Sequence, residues 1–220
     1  PAAGGEPLRL TQASGADVPT GFSPDGKSVL FQSARQDPHT SVQFPSRMLG
    51  EVYSVPAAGG KPVQVFAASA ELAVYSPSGN IIAYQDQKGY EDPYRKHHQS
   101  SIARDLWTYE AAGNKYRKIT SFKGEDRNPV FASEKEIYYL SEQPNSFNIF
   151  KLGLDNPSQP KAITSLNDHP VRNLSLAKNG TLCFSWNGEI YTVKEGTQPR
   201  KVEIRISSDN RNNAYRNIPV

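Results

Sequence analysis

The residues best suited to chemistry are gathered in one polar stretch, where Tyr90, Tyr94, Arg95, Lys96, His97 and His98 follow one another closely. Cationic groups beside phenol rings suit a peptide carboxylate or an acidic protein surface, because the carboxylate takes charge-assisted hydrogen bonds and the rings supply contact area. His39 and Arg47 lie in a second polar stretch and join this set as candidates for binding a peptide or protein partner. The pair His97-His98 also raises the question of a metal. Adjacent histidines lack the i, i+4 helical placement of a zinc site, and no third ligand stands near them in the sequence, so neither a metal nor a cofactor is expected. Nucleophilic catalysis needs a base set against a hydroxyl and an acid to orient that base. The sequence has no Gly-x-Ser-x-Gly elbow, and none of its four histidines has a serine and an acid gathered around it at this level, so no catalytic residue is assigned.

A second set is acidic. Asp17, Glu71, Asp126 and Asp168 recur at broadly corresponding places ahead of a repeated element. They could form an acidic collar that attracts cationic peptide ends. The simpler reading is that each carboxylate accepts hydrogen bonds from backbone amides of its own turn.

These side chains must be positioned by a β-rich scaffold. The 220 residues include 17 prolines, 16 glycines and 11 tyrosines, a composition for short strands and tight turns, and no long segment places apolar residues at helical spacing. With 36% hydrophobic residues the chain is long enough to bury a core. The formal charge of +3 is spread along the chain without a basic stripe, which argues against nucleic acid as a partner. No apolar run approaches the roughly 18 residues that a membrane-spanning helix needs. The single cysteine, Cys183, sits in the apolar run Leu182-Cys183-Phe184, reads as a small buried hydrophobe and excludes a disulfide within the chain.

Internal repetition organises the rest. Phe22-Ser23-Pro24-Asp25-Gly26-Lys27 and Tyr75-Ser76-Pro77-Ser78-Gly79-Asn80 each precede an apolar run, and related stretches occupy 131–140 and 176–184. A second motif follows each one: Glu51-Val52-Tyr53-Ser54-Val55, Asp105-Leu106-Trp107-Thr108-Tyr109, Asn148-Ile149-Phe150-Lys151-Leu152 and Glu189-Ile190-Tyr191-Thr192-Val193. The repeat length, roughly 40 to 55 residues, is that of one four-stranded propeller blade. The second strand of each repeat is apolar on consecutive residues, as in Val29-Leu30-Phe31 and Ile137-Tyr138-Tyr139-Leu140, and so must be covered on both faces. The fold class is therefore all-β, a partial β-propeller of about four four-stranded antiparallel blades over 17–66, 71–120, 126–164 and 171–204. Residues 1–11 repeat the pattern of 56–66 and are expected as an orphan strand from a preceding blade, with 205–220 a tail or the start of a next one. Insertions at 33–50 and 85–104 lie between second and third strands, on the side where connections from blade to blade also emerge. Both should crowd one mouth of the axis, as binding loops on a rigid scaffold or as decoration.

The units Phe22-Ser23-Pro24-Asp25-Gly26-Lys27, Asp105-Leu106-Trp107-Thr108-Tyr109 and Arg117-Lys118-Ile119-Thr120 resemble the WD-like repeat shared by TolB and the N-terminal half of tricorn-like serine peptidases. The stretches 95–98, 104–107 and Gly124-Glu125-Asp126-Arg127-Asn128-Pro129 are most similar to the bacterial tricorn-like peptidases of the C-terminal-processing type. The resemblance implies a noncatalytic propeller of an exported, periplasmic peptidase, serving substrate access or docking of a peptide or protein, with the serine-bearing domain elsewhere in the parent chain. It also implies that the rest of that parent packs against the open flanks of the propeller segment. The alternatives are a TolB-like periplasmic scaffold that binds a partner protein and, from another class, a propeller acting on carbohydrate. The last would need a cluster of histidines and carboxylates at the channel.

Overall fold

The computed structural model describes residues 5–13, 15–36, 49–90, 92 and 94–205. Among the described residues, sixteen strands form four antiparallel sheets, each taken up in chain order from one edge to the other. The first comprises β1 (Asp17–Phe22), β2 (Ser28–Ser33), β3 (Glu51–Pro56) and β4 (Val63–Phe66). The second comprises β5 (Ala70–Tyr75), β6 (Ile81–Asp86), β7 (Leu106–Glu110) and β8 (Lys115–Lys118). The third comprises β9 (Asp126–Ser133), β10 (Glu136–Ser141), β11 (Asn148–Gly153) and β12 (Asn156–Ala162). The fourth comprises β13 (Arg172–Leu176), β14 (Leu182–Trp186), β15 (Glu189–Val193) and β16 (Arg200–Lys201). The described helical structure is one 3-10 turn, Ala111–Gly113, and no described helix is long and apolar enough to cross a membrane.

The sheets are propeller blades. Their first strands β1, β5, β9 and β13 stand side by side, and Phe22, Val74, Val130 and Leu176 line one groove of about 780 Å³ where the four converge. Between blades lie three apolar layers, fed by opposite faces of the second strands. Ile82 and Tyr84 join Leu30, Val52 and Phe66 of the first blade, while their neighbour Ala83 joins Ile137, Tyr139 and Leu152 of the third. Tyr138 and Leu140 turn the other way, to Leu182 and Phe184 of the fourth blade. The continuous apolar runs are thus covered on both sides, as alternation of side chains across a pleated strand requires.

The turns follow the expected chemistry. Ser23 Oγ accepts from Ser28 N (3.0 Å) and Ser76 Oγ from Ile81 N (3.3 Å), so both repeat serines are turn residues. Asn187 and Gly188 have φ of 49° and 75°, the left-handed pair of a type I′ hairpin joining β14 to β15.

Two expectations need correction. Residues 5–13 form no strand, because a ladder needs a partner strand and none is offered to them among the described residues. They are held instead by apolar contact, with Leu10 packed on the cluster of Phe31, Tyr53 and Val55 on the outer flank of the first blade. Cys183 is half-buried, since it faces away from the layer that Leu182 and Phe184 enter. Most of the first insertion, including His39 and Arg47, lies outside the described residues.

Ile137 is completely buried between the second and third blades. Ile137→Ala is expected to lower unfolding free energy by about 2–5 kcal/mol, read from the urea midpoint, through lost burial and the cavity left behind. A change under about 0.5 kcal/mol, the size of an ordinary surface substitution, would mean that no continuous interblade layer exists there.

Candidate functional site

The second insertion does crowd the mouth onto which the blade-to-blade connections open. Its ends are pinned together by Lys88, whose Nζ lies 2.6 Å from Asp105 Oδ2 and 3.2 Å from Asp86 Oδ2. Asp86 also accepts from Asp105 N (2.8 Å) and Trp107 Nε1 (3.0 Å), so a carboxylate at the end of β6 organises the return into β7. Burial nevertheless leaves the Asp86 carboxyl above the ordinary carboxylate range, against the pull of those contacts.

Between the insertion and the blades lies a cavity of about 470 Å³. Its walls draw on three blades: Glu71, Leu72 and Arg104 from the second, Arg127, Asn128 and Phe147 from the third, and Arg172 and Asn173 from the fourth. Tyr90 and Tyr94 stand at it with 74% and 72% of their surfaces exposed. Leu72, Asn128 and Asn173 occupy one equivalent position in β5, β9 and β13, at a register shift, with left-handed φ of 50°, 53° and 56°. Asparagine tolerates that conformation through local hydrogen bonds, whereas leucine carries a cost of about 1–2 kcal/mol. The bulge frees Asn128 to bridge blades: its side chain accepts from Leu174 N (3.0 Å) and donates to Leu174 O (3.2 Å), while its own N donates to Gln85 Oε1 (2.9 Å).

Behind the cavity lies a buried charge network centred on Glu125, which is fully enclosed. Arg127 Nε donates to its Oε2 (2.7 Å), His98 Nδ1 lies 2.7 Å from its Oε1, and Arg104 Nη1 lies 3.8 Å from the same oxygen. Burial alone would push the Glu125 carboxyl up, but these cations and hydrogen bonds hold it below the usual range, so it is ionised. Arg104 Nε also donates to Glu71 Oε2 (2.7 Å). Arg172 lies 4.9 Å over the Tyr94 ring, and burial together with the neighbouring Arg127 lowers its pKa.

The sequence candidates part ways here. Tyr90 and Tyr94 line the cavity. Arg95 is exposed in a turn, its N donating to Asp92 O (3.1 Å), and Lys96 Nζ reaches Asp168 O at 3.4 Å. His97 and His98 face different surroundings: His97 N donates to Glu142 Oε1 (2.6 Å) with the ring mostly exposed, whereas His98 is 1% exposed. A serine and an acid do meet His98, contrary to the reading from sequence, because Ser100 Oγ lies 2.6 Å from its Nε2 while Glu125 holds its Nδ1. Glu125 is 27 residues away and belongs to the connection into another blade, which local spacing could not reveal. Arg104, Arg127 and Arg172 were also missed. Nothing in their spacing marks them, since each comes from a different strand end.

The four repeating carboxylates do not share one environment. Asp17 is paired with Arg35 (Nη2 to both oxygens, 2.8 Å) and Glu71 with Arg104 and Gln85, while Asp168 is exposed with φ of 68°. Asp126 is fully buried, with no hydrogen-bond partner on either oxygen and the hydroxyls of Ser141 and Thr120 close by. An acidic collar would need these charges free at the axis. Side-chain cations, not the backbone amides of their own turns, take Asp17 and Glu71.

A profile described as the tricorn protease N-terminal beta propeller domain matches residues 1–199. The chain belongs to this family. Among solved structures, the tricorn protease superposes with a TM-score of 0.70 at 21% identity, over 87% of this chain and 18% of that one. TolB from Agrobacterium tumefaciens gives 0.64 at 16% identity, over 82% and 62%. A puromycin-hydrolyzing peptidase of Mycobacterium tuberculosis gives 0.63 at 15%, over 86% and 31%. This propeller thus spans less than two thirds of each of these relatives, and the likeness to them is one of fold. No curated protein matches.

Burial pushes the Asp126 carboxyl up to about 7, with repulsion from Asp105 and Glu125 adding to it and the nearby hydroxyls opposing. Folding then takes up a proton between the unfolded value near 4 and about 7, so this group's contribution to stability is full below about pH 4 and is lost as pH rises toward 7. Asp126→Asn should remove that slope. Thermal melts of both proteins from pH 4.5 to 8 should diverge in favour of the variant as pH rises, and parallel curves would show that Asp126 ionises normally.

Proposed function

We propose that this propeller is a noncatalytic docking and access module for peptides, belonging to a tricorn-like serine peptidase that works outside the cytoplasm. The observation that carries the reading is the cavity at the insertion mouth, which Tyr90, Tyr94, Arg127 and Arg172 line together. Arg172, made less basic by burial and by the neighbouring Arg127, is the cavity-wall cation whose charged form an incoming anion favours. A peptide carboxylate satisfies that geometry with charge-assisted bonds while its last side chains lie against the phenol rings. Membership of the tricorn propeller family supports the peptidase parent, and the exported setting rests on the resemblance to exported peptidases and TolB.

A second reading is a TolB-like scaffold that binds a folded protein. The two exposed tyrosines favour it, because rigid aromatic side chains commonly anchor protein interfaces.

Fluorescence anisotropy with short labelled peptides separates these. Peptides with a free C-terminal carboxylate should bind at least about 10-fold more tightly than their amidated forms, and Arg172→Ala should abolish the difference. Equal binding of both forms, or no binding at millimolar protein, would remove the carboxylate reading and leave the protein-scaffold one.

A further inference from the structure

We propose that Asp126 seats a primary ammonium group, from a lysine side chain or the amino terminus of a peptide, in a pocket between the second and third blades. The pocket has a volume of about 210 Å³. Its walls are the connection from β8 to β9, at Thr120 and Phe122, and the third blade, at Asp126, Tyr139, Gln143 and Pro157. None of these residues lines the cavity at the insertion mouth, so the inference stands apart from the docking role.

Asp126 opens β9 and pairs with Ser141 of β10 across the ladder. Both side chains are fully buried, and no described residue makes a hydrogen bond to either Asp126 oxygen or to Ser141 Oγ. The hydroxyls of Ser141 and Thr120 stand near enough to draw the carboxyl's pKa down against burial, but they do not meet hydrogen-bond geometry. A buried polar group without a partner is uncommon in a folded protein and marks a place where something else supplies the bond.

The surroundings select a cation. Asp105 and Glu125 both repel a negative charge on Asp126. The nearby cations are engaged with other acids: Lys88 and Lys118 lie 2.6 and 2.8 Å from Asp105, Lys88 lies 3.2 Å from Asp86, and Arg104, Arg127 and His98 meet Glu125. Glu142, on the other side, accepts from His97 N. An arriving ammonium therefore pairs with Asp126 in a field already negative. The rings of Phe122 and Tyr139 give its methylene stem apolar surface and attract its charge. Burial and Asp126 push the Tyr139 phenol up, so it keeps its proton. The volume falls below the roughly 300 Å³ at which drug-sized sites begin, which suits one side-chain-sized group. A compact ammonium matches a single carboxylate, whereas a guanidinium wants a planar, two-pronged partner. As the ammonium binds, the carboxyl gives its proton to solvent and the ion pair forms.

The test follows the backbone amide shifts of the whole chain during titration with Nα-acetyl-lysinamide, with glycinamide and with the neutral Nα-acetyl-norleucinamide. An ammonium probe should shift Phe122, Asp126 and Tyr139, the neutral probe should not, and Asp126→Asn should weaken binding by at least about 10-fold, as loss of a charge-assisted bond does. Tighter binding of the lysine probe assigns a side chain as the occupant, and tighter binding of glycinamide an amino terminus. Between pH 8 and 6 the Kd of the lysine probe should rise about 10-fold, because Asp126, raised to about 7, must lose its proton before it can pair. No shift from either ammonium at millimolar concentration, shifts confined to Tyr94 and Arg172 at the mouth, equal binding of the neutral probe, or a folded Asp126→Asn protein that binds as before would overturn the proposal. If Asp126→Asn fails to fold, the neutral probe and the pH dependence decide alone.

Discussion

The structure depends on covering both faces of the inner second strands, β6 and β10. Alternate side chains of one strand enter two different apolar layers, so β6 is bound to the first blade through Ile82 and Tyr84 and to the third through Ala83. Burial of such residues contributes about 1.5–3 kcal/mol each, and no single sheet can supply it, because one face would remain wet. The radial arrangement follows from this. Once the second strands are stacked, the first strands converge on the common groove and their connections emerge together at the mouths.

At one mouth, charge replaces apolar contact as the organising force. Glu125 is buried without solvent, a state that an unpaired carboxylate would avoid by taking a proton. Arg127, His98 and Arg104 keep it ionised, and each of them also serves another purpose, as cavity wall or as anchor of the insertion. Its sequence neighbour Asp126 shows the contrast. It is equally enclosed but lacks such partners, and its carboxyl is raised to about 7. Two adjacent acids therefore shift in opposite directions, because cations meet Glu125 and, among the described residues, none meets Asp126.

The insertion between β6 and β7 ties three blades together across this mouth. Its residue His98 bonds Glu125, His97 N bonds Glu142, and Tyr94 stacks under Arg172, so the loop is attached to the third and fourth blades as well as its own. Asn128 adds a bridge at the axis by pairing with the main chain at Leu174. The cavity exists because these bridges hold loop and blade ends at fixed separation.

What the sequence determined by itself is whatever recurs over short range. Consecutive apolar residues marked strands covered twice, Asn187-Gly188 marked a hairpin, and the serines at 23 and 76 marked turns, because pleat, twist and left-handed φ are properties of a few neighbouring residues. That Tyr90 and Tyr94 belong together was visible for the same reason, since they lie in one loop, and both line the cavity. The tertiary structure alone decided the partners of the charges. Glu71 finding Arg104, Glu125 finding His98, and Asn128 finding Leu174 across 46 residues depend on which blades abut, and no local pattern encodes that distance. Electrostatic and hydrogen-bond partners are chosen in space after apolar stacking has set the blades, so the repeat foretold the frame and left the chemistry of the mouth to the packing.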